Sequence, residues 1–597
     1  MREQTEDHLP STTLRLLATS DVHMHLTGWD PRTDQTATDR GFNRVATLIR
    51  AARKDAPGAV VLLDNGDSIQ GTPHAETAQN APETAPHPWA EILHALDYDA
   101  AGLGNHDFDF GLGALHRFCA GSRVPILSAS PTQALDHVQT HVILNRDVAC
   151  SDGVTRPLRI GVTSVLPPQT LTWNHVHLEG VMAFHDGITA ARGAVDTLRA
   201  AGVDLVLMLC HSGISDSDAP SGENFARALA QQVHGIDAMI LGHTHEVFPG
   251  HAKAHVNGVD PDAGTICDVP AAMPGYAGAF LAQIDLTIGH DGSAWRVTGH
   301  KTALRQASDA APDPEVQRIA APHIAKTRTR MHKVVGQATD RFHTYFSILQ
   351  SGTVGGLMAT AMIDTIRPAA RDTAWATLPI LAAVAPAAAG GRAGPDNYVE
   401  VTEQDIRTQH LAQMCPYENT IWAHCMTGAE LRAYVETSLA YFAPSASGLA
   451  PLASRDVPAF NFDVVHGIHT TVDPFAPLGA RVVAMTHDAQ PIRDTDRFLV
   501  AMTSYRGAGG GGFPGLSGKT PLKTETPVFT ALQRHLRANT LDPRDWSSVW
   551  SFATSQPRDV IVETSPRAIA YLEDIAAFAP EPLGLTDAGF MQLRVTL

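Results

Sequence analysis

No stretch of this sequence is apolar for long enough to cross a bilayer. The longest apolar run, near residues 376–389, carries two prolines and is too short, so no membrane role is expected. The first residues, MREQTEDHLPSTTLRLL, have neither a basic n-region nor an apolar h-region. No export signal is visible in them, and a cytoplasmic location is the expectation. A basic excess is also missing. Lys and Arg number 44 against 62 Asp and Glu, a formal charge of -18 with His neutral. That balance argues against non-specific binding of long nucleic acid, which needs a basic footprint. It leaves room for a small phosphorylated substrate held by a few Arg residues or by metal ions. The six cysteines, Cys119, Cys150, Cys210, Cys267, Cys415 and Cys425, are scattered with no CxxC pair. They read as mostly free thiols, with one or two disulfides left open. No internal repeat and no long low-complexity tract is present.

What remains is a long globular chain rich in histidine. Its 597 residues exceed what one core holds, so two or more domains are expected. Hydrophobic residues make up 44% and charged residues 18%, ordinary for a globular protein. From residue 14 to about 305, β-type runs (14–19, 59–63, 100–103, 159–165, 204–209, 237–241) alternate with helical patterns (42–54, 89–96, 189–201, 223–233). That alternation predicts a layered α/β domain. Residues 312–333 read as a polar helix between two globular parts. A second region follows, with Gly-rich turns "AAAGGRAG" and "GAGGGGFPG". In "AFNFDV" the alternation of Phe460 and Phe462 predicts a strand whose two rings are core or pocket wall.

Five of the predicted strands end in polar clusters. "LLATSDVHMH" brings Asp21 and His23, and "VVLLDNGDS" brings Asp64 and Asp67. "GLGNHDFDFG" brings Asn105, His106, Asp107 and Asp109. "LVLMLCHSG" brings His211, and "AMILGHTHEVFPG" brings His243 and His245. Any one alone is as easily a turn, since Asn and Asp tolerate turn conformations. Together, at the carboxyl ends of strands in an α/β domain, they are placed where ligands collect. Asp21, His23, Asp67, Asn105, His211, His243 and His245 make seven candidate metal ligands. Four contacts to each of two ions would make eight, so seven residues suffice if one carboxylate bridges. Mixed oxygen and nitrogen ligands suit Zn, Mn, Co or Fe.

The order D-x-H, G-D, G-N-H-D, H-S-G, G-H-x-H resembles the calcineurin-like metallophosphoesterases. Further stretches resemble the 5'-nucleotidase family within them, and in particular its bacterial 2',3'-cyclic-nucleotide 2'-phosphodiesterase/3'-nucleotidase branch. They are "LLDNGDSIQGTP", "PPQTLTWNHVHLEG", "GIDAMILGHTHEVFPG", "MPGYAGAFLAQIDL", "FNFDVVHGIHTTVD" and "SYRGAGGGGF". The likeness runs from about residue 14 to about residue 541. It implies an N-terminal four-layer α/β/β/α metallophosphoesterase domain (12–310), a linker helix (311–335) and a C-terminal α/β nucleotide-binding domain (336–597).

It also implies roles. Asp21, His23 and His245 would hold one divalent ion, and Asn105, His211 and His243 a second, with Asp67 bridging. His106 would act on the phosphoryl group or the leaving oxygen, oriented by Asp109. Asp107 reads as structural, and His25 and Asp64 as neighbours of the site. Arg392 would contact phosphate, and Tyr417 with either Tyr505 or Phe513 would stack on the base. The implied activity is hydrolysis of 2',3'-cyclic nucleotides to 3'-nucleotides, and of these to nucleoside and phosphate, by a monomer. Asp109 stands where that branch often has Asn, which keeps a 5'-nucleotidase or nucleotide-sugar hydrolase as the alternative. A non-catalytic nucleotide-binding protein is the remote alternative. Relatives of this kind usually act in the periplasm, against the cytoplasmic expectation from the first residues.

Overall fold

A computed structural model describes residues 9–82, 84–217, 222–386, 388–417, 419–443, 448–454 and 457–597. It divides into two compact units, Met1–Thr329 and Arg330–Leu597.

The first unit is built on two sheets. Strands β1 (Ser11–Thr19), β2 (Ala59–Asp64) and β3 (Ala100–Gly102) are parallel neighbours in a seven-stranded sheet. Strands β4 (Leu205–Cys210) and β5 (Ala238–Leu241) are parallel neighbours in an eight-stranded one. Side chains alternate faces along a strand, and this alternation sorts the core into layers. Leu14, Leu16 and Ala18 of β1 and Val61 and Leu63 of β2 pack with Leu205, Leu207 and Leu209 of β4 and Ile240 of β5. The two sheets therefore face each other. The opposite face of the first sheet, with Leu17 and Leu62, packs on Phe42, Ile49 and Trp89 of the helices Phe42–Lys54 and Pro88–Ala95. The outer face of the second sheet, with Val206 and Met208, packs on Ile188, Val195 and Leu198 of the helix Gly187–Ala200. Helix, sheet, sheet and helix give four layers.

The helix predicted over 42–54 is Phe42–Lys54. The one predicted over 223–233 is shorter, Ala226–Gln232, and the residues before it form a loop instead. The polar helix is Pro314–Met331, and it is docked rather than free. Val316, Ile319 and Ala320 enter the first unit's core, and His74 bonds Thr327 at 3.0 Å. No helix among the described residues is long and apolar enough to cross a membrane. Cys119, Cys150, Cys210, Cys415 and Cys425 take part in no disulfide.

The second unit centres on a five-stranded mixed sheet. Ala382 and Val384 face the helices Thr353–Ala370 and Val528–Ala538, while Leu381 and Ala383 face a second core. The last fifty residues complete that second core. Strands Asp559–Thr564 and Met591–Thr596 pair antiparallel and contribute Val560, Val562, Leu593 and Val595 to it.

One expectation fails here. "AFNFDV" begins with a 3-10 turn, Ala459–Asn461, not with a strand. Phe462 is buried beside Tyr441, Phe442 and Trp550, but Phe460 is 52% exposed. A buried cation holds the turn. Arg506 donates to Asp463 at 2.8 and 3.2 Å and to the Phe460 carbonyl at 2.8 Å. Its guanidinium lies 3.8 Å over the Phe513 ring. Removing one partner of a buried ion pair strands the other charge. Arg506→Ala is expected to lower the full chain's stability by about 3–5 kcal/mol, read as an earlier urea-unfolding transition.

Candidate active site

Parallel pairing brings the strand ends level. Thr19 at the end of β1 pairs with Asp64 at the end of β2, and Cys210 with Leu241 across β4 and β5. The chain then turns sharply at each end. Asp21, His23, Asp67, His243 and His245 all adopt positive φ, between 49° and 72°. Non-glycine residues avoid that region, and they persist in it where surrounding structure over-determines them.

Here the surroundings do. The buried Asp107 carboxylate accepts four backbone N–H groups, from Gly104 at 2.8 Å, Asp67 at 2.9 Å, Ser68 at 3.1 Å and Ile69 at 3.2 Å. It clamps the loop after β2 to the loop after β3, as a structural residue. Burial, and then the nearby Asp67 charge, push it up to about 6. Asp64 plays a similar part. It accepts from Thr19 and Ser68, each at 2.7 Å, and burial pushes it up to about 7. Gly104 has no side chain because a Cβ there would collide with the Asp67 carboxylate. His25 donates to the Val22 carbonyl at 3.1 Å, and burial lowers it to about 4.

Two groups of ligand atoms result, Asp21 with His23 and His245, and Asp67 with His211 and His243. Their tautomers follow from the second ring nitrogen. His23 Nδ1 donates to the Gln70 carbonyl at 3.0 Å, and His211 Nδ1 donates to the Asn65 carbonyl at 2.8 Å. In the neutral rings the Nε2 atoms are therefore bare lone pairs. His23 Nε2 faces His245 Nε2 at 2.9 Å, and His211 Nε2 faces Asp67 Oδ2 at 3.0 Å. Neither His211 Nε2 nor Asp67 Oδ2 has a hydrogen-bond partner although both are buried. The bare His211 Nε2 and the Asp67 carboxylate oxygen repel at this range, and a buried unsatisfied acceptor is costly. A metal cation or a proton between them removes both penalties. The expected ligand Asn105 belongs to the second group, since its Oδ1 lies 2.8 Å from His243 Nδ1.

Charges inside the cluster respond to each other. Burial would lower His211, but the Asp67 and Asp21 carboxylates win and raise it to about 9. His23, buried beside His245, is held well below the usual range. His106 Nδ1 donates to Asp109 Oδ2 at 2.8 Å. Against burial, Asp109 and then Asp67 raise His106 to about 10.

Several contacts at the site were not read from the sequence. Trp173 stacks on His243, with ring centroids 5.3 Å apart and planes at 23°, and Asn174 donates to the Asn105 carbonyl at 3.0 Å. Tyr276 stacks on His245 at 4.8 Å and 10°. Their one signal was that they fall in the stretches "PPQTLTWNHVHLEG" and "MPGYAGAFLAQIDL". Glu223, 2.9 Å from His243 Nε2, had none. In the second unit Tyr417 is 60% exposed and Tyr505 39%, whereas Phe513 is buried against Tyr434 and under Arg506. Arg392 falls in the turn Gly391–Ala393, and its side chain lies outside the described residues.

The family profile for calcineurin-like phosphoesterase matches residues 14–247, and that for the 5'-nucleotidase C-terminal domain matches residues 334–518. A 2',3'-cyclic-nucleotide 2'-phosphodiesterase/3'-nucleotidase of Haemophilus influenzae is 30% identical over 98% of this chain and 95% of its own length. The chain belongs to the 5'-nucleotidase family of calcineurin-like phosphoesterases. A trifunctional nucleotide phosphoesterase protein of Bacillus subtilis is also 30% identical, over 86% of this chain, which spans only 37% of that protein. The solved 5'-nucleotidase precursor of Thermus thermophilus matches the fold, with a TM-score of 0.60 at 19% identity over 91% of this chain and all of its own. Membership implies divalent metal ions, and the oxygen and nitrogen donors gathered here fit them.

Asp107→Ala would leave four backbone N–H groups without their acceptor. The metal-free chain is expected to lose at least about 3 kcal/mol, read as a lower thermal midpoint.

Proposed function

We propose that the chain is a two-metal phosphoesterase that hydrolyses 2',3'-cyclic nucleotides to 3'-nucleotides and these to nucleoside and phosphate. The choice of substrate is carried by the near full-length likeness to the Haemophilus influenzae protein of that name. The two-metal reading is supported by the two convergent groups of ligand atoms and by the buried acceptors that face each other at His211 and Asp67.

In this reading Asp21, His23 and His245 would hold one ion, Asn105, His211 and His243 the other, and Asp67 would serve both. Bound there, divalent cations of the Zn, Mn, Co or Fe class supply Lewis acidity toward the phosphoryl group and the attacking water. The chain's own residues do the rest. His23 and His211 are fixed in one tautomer by the carbonyls of Gln70 and Asn65, so that their Nε2 atoms turn to the cluster. Asp109 keeps a proton on His106, and His106 delivers it to the leaving oxygen or stabilises charge on the phosphoryl group. For the base, the exposed rings of Tyr417 and Tyr505 offer stacking worth about 1–3 kcal/mol each. Phe513 is assigned to the support of Arg506 instead. Arg392 is assigned to phosphate, where a guanidinium can bind two oxygens at once.

Asp109 is the one feature that favours a second reading, hydrolysis of 5'-nucleotides or nucleotide sugars. The measurement that separates the two is phosphate release from 2',3'-cyclic AMP, 3'-AMP and 5'-AMP by protein loaded with Mn or Co. Turnover of the first two with little of the third supports the leading reading, and preference for 5'-AMP replaces it. His106→Ala is expected to lower kcat by about 10²–10⁴-fold while metal content stays at the parent level. A parallel loss of metal would remove His106 from its assigned role.

A further inference from the structure

We propose that Glu223 is a positioning residue for the second metal half-site, acting through His243. This rests on the two-metal reading above and extends it to a residue outside the ligand set. The argument starts from the two nitrogens of one ring. His243 Nδ1 lies 2.8 Å from Asn105 Oδ1, on the side of the cluster shared with Asp67 and His211. His243 Nε2 lies 2.9 Å from Glu223 Oε1. A carboxylate can only accept, so Nε2 carries the proton and Nδ1 is left as the lone pair. That lone pair meets the Asn105 carbonyl oxygen, a second acceptor, and only a cation or a proton between them satisfies both. A carboxylate on the outer nitrogen of a ligating imidazole fixes its tautomer, orients the ring and raises its basicity.

Independent contacts act on the same half-site. Trp173 lies flat against the His243 ring, and Asn174 holds the Asn105 backbone. The ring is thus fixed on one face by packing and at its outer edge by Glu223. His23 and His211 donate the corresponding hydrogen bond to neutral backbone carbonyls. Of these three, His243 alone donates it to a carboxylate, which makes it the one most dependent on a replaceable side chain.

The test is a titration of the metal-free full-length chain with Co²⁺, followed by calorimetry and by the visible absorption of the bound ion. The parent is expected to bind two ions. Glu223→Ala is expected to keep one at parental affinity and to bind the second about 10–100-fold more weakly. Glu223→Gln, whose amide oxygen still accepts from Nε2, is expected to fall between them. A parent that binds fewer than two ions removes the two-metal reading and this inference with it. A parent that binds two, with the Ala and Gln variants indistinguishable from it, overturns the role of Glu223 alone. If the Ala variant does not fold, parental affinity at both half-sites of the Gln variant overturns it equally.

Discussion

The structure depends on one electrostatic constraint: seven candidate metal-ligating groups, two of them carboxylates, are held around one small volume. Asp21 and Asp67 are fully buried, and His211 with them. Left to themselves such groups would separate or take up protons. They stay because the backbone on either side is over-determined. Asp107 fixes the loop after β2 to the loop after β3 with four hydrogen bonds, and His243 N donates to Asp21 Oδ1 at 3.0 Å, tying the loop after β5 to the loop after β1. Five candidate ligand residues in the left-handed region are the local cost of that convergence. The stability lost there is made good by the layers beneath.

Those layers explain why the ligands come from so many places in the chain. A single parallel sheet presents its strand ends in a line. Two sheets packed face to face present two lines, and a site between them is surrounded. The inner core of Leu16, Leu63, Leu207 and Ile240 sets that spacing, and none of these side chains touches the chemistry. The site is therefore as exact as the packing under it, since interiors are close-packed and transmit small shifts.

Much of this was legible in the sequence, for a physical reason. Each strand end is local, so a candidate ligand and the strand that carries it lie within a few residues, as in "SDVH" after β1 or "HSG" after β4. Alternating and helical patterns likewise marked β1 and the helix Phe42–Lys54. What was not legible is contact between distant segments. Trp173 and His243 are seventy residues apart, and Glu223 reaches His243 from a loop where continuous helix was expected. The Phe460 misreading has the same origin. Its pattern is that of a strand, but a buried guanidinium from Arg506 captures its carbonyl and turns the chain. The carboxyl-terminal strands Asp559–Thr564 and Met591–Thr596 were not read from the sequence, and the core they complete is made with distant segments.

Asp109 shows how one residue can bear both on family branch and on chemistry. His106 is buried enough that desolvation alone would drive it to the neutral form. Cations bound a few ångströms away would push in the same direction. The opposing influence is carboxylate charge, from Asp109 at 2.8 Å and from Asp67 behind it. With divalent ions held beside Asp67, Asp109 would be the group left to keep a proton on the ring. An amide at that position would preserve the hydrogen bond and the geometry but not the charge. On the proposed reading, the difference between Asp and Asn there would be a difference in how firmly the ring holds its proton; Asp109 and Asn105 cap the two ends of the same short 3-10 helix, His106–Phe108.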